Sequence, residues 1–290
     1  MPADDPDARS LLDRLRAFTD AEASSRSSAL LRIGLALVVW TRLAQDMLLF
    51  KEATQLGLLR SVAFYVLTTA MLIGWRSRVT TFLTGVMLYA FYHYWGQGQG
   101  REPWTHHHIY VLAASVTLTS LTPCGRSYSL DRWLAVRRAE KAGAAPPPER
   151  GRIWGLRLIM IQLGTIYVLA AIDKTNAAFL SGDRMEHFVA LYYTGISHPL
   201  DGWVPVACQL TAIITVALEY ALAFGMPFAR ARRYLIIPGL LLHAGFYVLL
   251  PVSTYTVTMF VLYVAYLNPD AVHRTLDRMQ GHPNPSGEAA

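Results

Sequence analysis

Ionisable side chains stand at the ends of, or within, long apolar runs of this 290-residue sequence, which marks them as candidates for chemistry. Lys174 closes one such run, Glu219 lies deep inside a second, and His243 lies midway along a third. If these runs cross a bilayer, each charge near its centre costs about 2.5–3.5 kcal/mol even on a lenient insertion scale. Side chains retained at that cost are candidates for binding or catalysis.

Histidines near the predicted outer ends of other runs form a second candidate group, made up of His93 and the consecutive His106, His107 and His108. Neutral imidazoles can donate or accept hydrogen bonds. Consecutive residues on a helix diverge by about 100°, so three helical histidines cannot face one ion. We therefore expect no metal site.

The glycine-rich residues 96–100 lack the spacing of a nucleotide-binding loop, and we predict a flexible outer loop there.

Each candidate also has a purely structural interpretation. Lys174 can extend its ammonium to the outer headgroups, Glu219 can pair with an arginine such as Arg42, and His243 can be a hydrogen-bonded core residue. For any histidine alone the structural interpretation is favoured, and for Lys174 alone both stay open. The shared outer location predicted for Lys174 and the histidines favours a polar pocket that faces outward.

Apolar runs of spanning length must position these residues. The chain is 53% hydrophobic and 16% charged, whereas soluble domains carry about 25% charge. Spanning the hydrocarbon layer takes about 20 mostly apolar residues, and their backbone groups must pair within a helix. We predict an all-α polytopic transmembrane bundle of about eight spans, at 29–49, 58–75, 79–96, 108–123, 154–172, 203–226, 234–250 and 252–267.

The placement of Lys and Arg predicts the orientation of the spans. If the N-terminus is inside, the outer connectors hold only Lys51, Arg101, Lys174 and Arg184, while the inner connectors hold most of the others. This bias predicts that both termini are cytoplasmic. The net charge of +6 therefore reflects topology, and we expect no nucleic-acid partner. Cys124 and Cys208 fall near opposite surfaces, so we expect no disulfide between them.

The sequence divides into three parts. Residues 1–28 form a cytoplasmic N-terminal segment, in which the amphipathic stretch 11–18 is typical of an interfacial helix on the inner leaflet. Residues 29–268 form the membrane domain. Residues 269–290 are predicted to be a disordered cytoplasmic tail, because its end is rich in Pro, Gly and Ser.

Residues 171–187 resemble a segment of the vitamin K-dependent gamma-glutamyl carboxylase. That segment has two adjacent lysines at the membrane edge, followed by an aromatic residue, a glycine and a Met-Glu pair. Lys174 matches the second lysine, and Asp173 replaces the first. The other matching residues are Phe179, Gly182, Met185 and Glu186.

Two further stretches, 107–110 and 127–131, resemble motifs of the same family, and Glu219 and His243 match its acidic residue and following histidine. The likeness covers about residues 30–268. This unit is known as the horizontally transferred transmembrane domain (HTTM), which also occurs in bacterial proteins that mature secreted peptide toxins. The resemblance implies a multi-pass protein of the bacterial inner membrane whose active site faces the extracytoplasmic side. The long lumenal domain of the carboxylase has no counterpart here, so a propeptide-tagged substrate is not expected.

The resemblance implies quinone-dependent chemistry. A reduced naphthoquinone of the vitamin K or menaquinol type reacts with O2 to give an epoxide and a strong base, and the resulting carbanion captures CO2. Lys174, as a neutral amine, and His108 would be catalytic. The residues implied to hold an isoprenoid quinone are His243, His107, His93 and Tyr94, with Glu219 and Asp173 in supporting positions. The expected partners are the lipid bilayer, the quinone and a small or peptide substrate.

Two other function classes remain at this point. A maturation or export factor for a secreted peptide would need no redox chemistry, and a neighbouring gene for a small secreted peptide would favour it. A transporter is the weakest alternative, since the sequence shows no inverted repeat and few broken helices.

Overall fold

A computed structural model describes residues 11–48, 54–101, 104–195, 200–250 and 252–281. The chain forms two compact units. The first comprises Met1–Ile159 with Leu267–Ala290, and the second comprises Met160–Tyr266.

Helices make up most of the described chain, and they confirm the all-α prediction. Their bounds are α1 Leu11–Asp20, α2 Arg26–Leu43, α3 Gln55–Ile73, α4 Ser77–Phe91, α5 His107–Thr119, α6 Leu130–Lys141, α7 Trp154–Lys174, α8 Ala177–Leu180, α9 Asp183–Val189, α10 Val204–Gly225, α11 Ala229–Leu249, α12 Ser253–Leu262 and α13 Pro269–Met279. Short 3-10 turns cover Ala44–Met47 and Tyr263–Tyr266, and π-helical turns cover Tyr92–Gln97 and Ala190–Thr194. Strands β1 Glu22–Ser24 and β2 Arg150–Arg152 pair antiparallel.

Each of the eight predicted apolar runs contains a helix, from α2 to α5, α7 and α10 to α12. Within the described ranges, four helical stretches are long and apolar enough to cross a membrane. They are Arg26–Met47, Gln55–Ile73, Trp154–Lys174 and Val204–Gly225. The protein is therefore a helical membrane protein, while the number of eight spans and the cytoplasmic termini stay predictions.

The first unit is held together by Arg32, a charged residue that is completely buried within α2. Its guanidinium donates to the carbonyls of Met71 and Leu72, at 2.6 and 2.9 Å, and thereby satisfies orphan acceptors at the end of α3. It also donates to the carbonyls of Cys124, at 3.0 Å, and Tyr128, at 2.6 Å. One side chain thus joins α2, α3 and the segment after α5.

The end of the chain is also part of the first unit, which corrects one prediction. Residues 269–279, assigned from sequence to a disordered tail, form α13, whose N-terminal N–H groups are capped by Asn268. Arg26 pairs with Asp277 of this helix at 2.6 Å and with Glu149 at 2.9 Å. These ion pairs order a segment whose composition alone indicated disorder. Residues 282–290 lie outside the described residues.

The second unit contains α7 from Met160 onward and α8 to α12. The buried residues of α10 recur three or four positions apart, so one face of this helix points inward. They are Cys208, Ala212, Thr215, Val216, Glu219, Leu222 and Ala223. Phe179 and Met185, from α8 and α9, pack against the first part of this face. Glu219 is the one carboxylate on it.

Candidate functional site

The second unit brings Lys174 and Glu219 together as a buried ion pair. The lysine Nζ donates to both carboxylate oxygens of Glu219, at 2.8 and 3.0 Å, and to the carbonyl of Ala170 at 3.3 Å. The Lys174 side chain is 21% exposed and that of Glu219 is 3% exposed. Lys174 therefore binds a carboxylate instead of extending into the headgroups, and Glu219 pairs with this lysine where the sequence suggested an arginine such as Arg42.

This pairing qualifies the prediction of a lone neutral amine. Removing two charges from water carries a penalty of several kcal/mol per ion, which their mutual attraction must offset. The Nζ of Lys174 therefore cannot act at this site apart from the Glu219 carboxylate that it contacts.

Asp173, the neighbour of Lys174, points elsewhere. Asp173 is exposed, and its main-chain carbonyl accepts a hydrogen bond from Asn176 Nδ2 at 2.7 Å. The Asp173 carboxylate interacts electrostatically with Glu219 but is not one of the groups bonded to Lys174. The supporting role of Asp173 stays a prediction.

A second polar group surrounds His243, which is completely buried in α11. The hydroxyl of Tyr167 lies 2.8 Å from His243 Nε2 and 2.7 Å from the hydroxyl of Tyr263. The centroids of the rings of Tyr255 and Phe246 lie 5.6 and 5.9 Å from that of the imidazole. His243 is therefore surrounded by aromatic rings, a group called the histidine box below. Its Nε2 begins a hydrogen-bonded chain that runs through Tyr167 to Tyr263.

The other ring nitrogen of His243 has a different environment. Nδ1 is buried, and it has no hydrogen-bond partner among the described residues. Buried polar atoms are nearly always hydrogen-bonded. This nitrogen is therefore a candidate contact for a bound ligand, and the sequence-based assignment of His243 to cofactor binding stays a prediction.

Helix α7 carries a residue of each polar group. Tyr167 and Lys174 lie seven residues apart on it, so they share one face two turns apart. Tyr255 of α12 packs its ring against His243. The second unit thus holds the ion pair and the histidine box along one face of α7, among apolar helices.

An apolar cavity of about 340 Å³ adjoins this region, lined mostly by α10 and α11. Its wall includes Phe246, the same ring that contacts His243. The other lining residues are mostly apolar, among them Ile214, Leu218 and Leu242, and the hydroxyl-bearing Thr211 and Thr215 also line it. Ligand pockets are typically apolar with a few polar groups at one end, and this cavity beside the histidine box has that arrangement.

Close packing at Gly239 maintains the hydrogen-bonded chain. A Cβ on this α11 glycine would overlap the hydroxyl of Tyr263, whereas a Cβ on Gly245 of the same helix would meet nothing within 4 Å. We expect Gly239→Ala to displace Tyr263 and lower stability by about 1–3 kcal/mol, as overpacked cores do.

The matched control is Gly245→Ala, which should leave stability unchanged or raise it by up to about 1 kcal/mol because alanine is the better helix former. Thermal unfolding of both variants in detergent compares them directly. Equal melting temperatures for the two would show that the packing at Tyr263 is not limiting.

The remaining predicted site residues lie in the first unit. His93 and Tyr94 are exposed and belong to the π-helical turn Tyr92–Gln97, a helix type that often marks functional sites. His107 and His108 begin α5. How these residues relate to Lys174 and His243 stays a prediction.

One prediction about the first unit was wrong, because the stretch 96–100, expected to be a flexible loop, is helical through residue 99. The buried Gly96 allows close approach of the Trp104 backbone there. The premise that all three histidines are helical also needs correction, since His106 precedes α5 with extended backbone and its ring stacks on that of His108 with 5.9 Å between centroids. The His107 ring lies 4.3 Å from that of His108. Within the described residues, no group of three His, Cys, Asp or Glu side chains is arranged to hold a metal ion.

Sequence reasoning missed the three tyrosines, Tyr167, Tyr255 and Tyr263. One signal was present, since Tyr167 lies at helical spacing from Lys174. Gly239 likewise precedes His243 by one turn. The contacts among α7, α11 and the turn after α12 depend on tertiary packing, which the sequence pattern does not reveal.

Comparison with known proteins adds one finding. A family model described as HTTM domain matches residues 46–270 of the chain. No curated protein and no solved structure matches it.

Proposed function

This chain belongs to the HTTM-domain family, a membrane family related to the vitamin K-dependent carboxylase, and from that premise we propose that it is a quinone-dependent membrane enzyme. It would use a reduced naphthoquinone and oxygen to generate a base for carboxylation or another modification of a small or peptide substrate. The observation that carries the proposal is the ion pair of Lys174 and Glu219 on the α7 face that also carries Tyr167, the hydrogen-bond partner of His243.

The residues present fit such a cofactor at two points. The apolar cavity along α10 and α11 suits an isoprenoid tail, and His243 Nδ1 offers a hydrogen bond that no described residue takes. A bound reduced quinone would supply, by its reaction with oxygen, a base stronger than any side chain. His243 would orient the ring, and Tyr167 and Tyr263 would hold the imidazole in place.

Lys174 would handle the first proton. In the low-dielectric interior, the charges of the pair can be lost together when the proton of Lys174 Nζ passes to Glu219. Nζ is then a neutral amine that can accept a proton from a bound hydroxyl group. Glu219 would thus accept a proton, where the sequence suggested only a supporting position.

The residues of the first unit complete the proposal. His108 would be catalytic, and His107, His93 and Tyr94 would contact the cofactor, as the family resemblance implies. O2 and CO2 would be co-substrates, and no metal is required. These assignments can be tested one residue at a time, independently of those in the second unit.

Oxygen uptake by the purified protein tests the proposal. We expect consumption with a naphthohydroquinone, and a lower KM for an isoprenoid-tailed form than for one without a tail, because the tail would fill the cavity beside Phe246. Oxygen uptake no faster than in protein-free samples would reject the proposed enzymatic activity. A KM that is independent of the tail would reject the cavity as its binding place.

We further propose a bacterial inner-membrane protein with about eight spans, cytoplasmic termini and an extracytoplasmic active site. The basic connectors at Arg76 and Arg78, and at 126–152, support this orientation. It places Ala145 inside and Gln99 outside, and both residues are exposed.

Labelling of single cysteines checks this topology. After Cys124 and Cys208 are replaced by serine, we expect Gln99→Cys to react with a membrane-impermeant maleimide in intact cells. Ala145→Cys should react only after permeabilisation, since loop 139–152 would be cytoplasmic. The reverse pattern would invert the proposed orientation. Equal labelling of the two cysteine variants in intact cells would contradict the proposed topology.

A further inference from the structure

The first unit contains a cavity of about 530 Å³ that the proposed chemistry does not use. Its walls come from the start of α4, the segment after α5, the paired strands and the first residue of α7. The charged residues that line it are Arg78, Arg126, Arg152, Glu22 and Asp131. Three arginines from three separate elements therefore face one space.

The carboxylate of Asp131 is already engaged by the backbone. Its oxygens accept hydrogen bonds from the main-chain N–H groups of Arg76 and Ser77, at 2.8 and 2.7 Å, and from the Ser77 hydroxyl at 2.7 Å. These bonds cap the N-terminus of α4, where a negative charge is favoured. Asp131 is thus poorly placed to neutralise the arginines of the cavity.

The arginines have few acidic partners. Arg78 donates to the carbonyl of Ser120 at 3.0 Å, and Arg126 donates to the carbonyl of Arg150. In the part of the chain that the structure describes, neither one pairs with a carboxylate. Arg152 lies 3.6 Å from Asp20 in an exposed pair, and such pairs contribute little. The three arginines outnumber the two acidic lining residues, Glu22 and Asp131, so the lining carries a net charge of +1 that an anion could neutralise.

The position of the cavity indicates which class of anion it would bind. Trp154 lines it and is the first residue of the candidate span Trp154–Lys174, and tryptophan is enriched at the membrane–water boundary. The cavity volume is in the range that holds a small organic ligand. A phosphate ester attached to a lipid would reach this level without leaving the bilayer.

We propose that this cavity binds the phosphate of an anionic phospholipid headgroup. Guanidinium groups donate paired hydrogen bonds to phosphate oxygens, and basic pockets at helix ends on the cytoplasmic side bind such lipids. A soluble phosphate ester carries the same phosphate group. The interfacial position of Trp154 favours the lipid as its source.

Native mass spectrometry of the purified protein in detergent tests the proposal with phosphatidylglycerol and phosphatidylcholine as probes. We expect preferential binding of phosphatidylglycerol, weakened on the order of tenfold for each arginine removed in Arg78→Gln and Arg126→Gln. The matched control is Arg137→Gln/Arg138→Gln on α6, which removes the same charge from exposed residues outside the cavity and should leave binding unchanged.

Three outcomes would overturn the proposal. Equal binding of the two lipids would show that no anionic site exists, and equal loss in the control would show that net charge alone attracts the lipid. Displacement of the lipid by an equal concentration of glycerol 3-phosphate would assign the cavity to a soluble ligand. The melting temperature of Arg78→Gln/Arg126→Gln in phosphatidylcholine should match that of the unsubstituted protein, which separates lost binding from lost folding.

Discussion

Replacing Lys174 by arginine is expected to abolish turnover while leaving the protein folded. Arginine keeps a positive charge that can donate to both oxygens of Glu219, so the buried pair survives. Its guanidinium cannot release a proton in a protein. If Lys174 acts as a base, hydroquinone-dependent oxygen uptake should fall by about 10²–10⁴-fold, the usual contribution of a general base.

Two companion variants separate chemistry from structure at this position. Lys174→Ala should lose activity and also about 3–5 kcal/mol of stability, because it leaves the Glu219 carboxylate buried without its partner. Lys174→Met/Glu219→Gln removes both charges and should recover most of that stability but none of the activity. Retention of wild-type turnover by the arginine variant would exclude Lys174 as a base and leave it only the structural role.

Arg32→Met is expected to cause the largest loss of stability in the first unit. The substitution keeps an apolar stem of similar length but removes a donor from four main-chain carbonyls, of which that of Met71 keeps a second bond from the Gly74 N–H at 3.2 Å. Each buried acceptor left unsatisfied costs about 1–3 kcal/mol. The total is a large part of the 5–15 kcal/mol that typically separates folded from unfolded proteins.

Arg42→Gln is the control, because Arg42 lies on the same helix, is only half-buried and is not among the residues hydrogen-bonded to these carbonyls. We expect its melting temperature in detergent to stay close to that of the unsubstituted protein, while Arg32→Met unfolds at a much lower temperature or fails to accumulate. Similar melting temperatures for the two variants would show that Arg32 does not clamp α2 to α3.

The helical fold could be predicted because its signals are local. A run of about 20 apolar residues must satisfy its own backbone in a bilayer, and each predicted run contains a helix. The same argument selected Lys174, Glu219 and His243, since a polar group within such a run needs a partner. The sequence could not name that partner, because Glu219 reaches Lys174 across 45 residues.

The contacts that could not be predicted from the sequence have the same cause. Arg32 lies in an apolar run as Glu219 does, yet it binds only main-chain carbonyls, and nothing in residue type distinguishes those two outcomes. Tyr167 and Tyr263 meet 96 residues apart, and α13 is ordered by its ion pair with Arg26. Periodicity and composition describe one segment at a time, so contacts between distant segments escaped them.

The account depends on whether this protein drives quinone oxidation at the site of Lys174 and His243. The direct measurement is mass spectrometry of the quinone after the purified protein has been incubated with a naphthohydroquinone and isotopically labelled oxygen. The account predicts a quinone epoxide carrying the label, formed by the unsubstituted protein and not by Lys174→Arg. Recovery of only the unlabelled quinone, in the same amount as without protein, would contradict it.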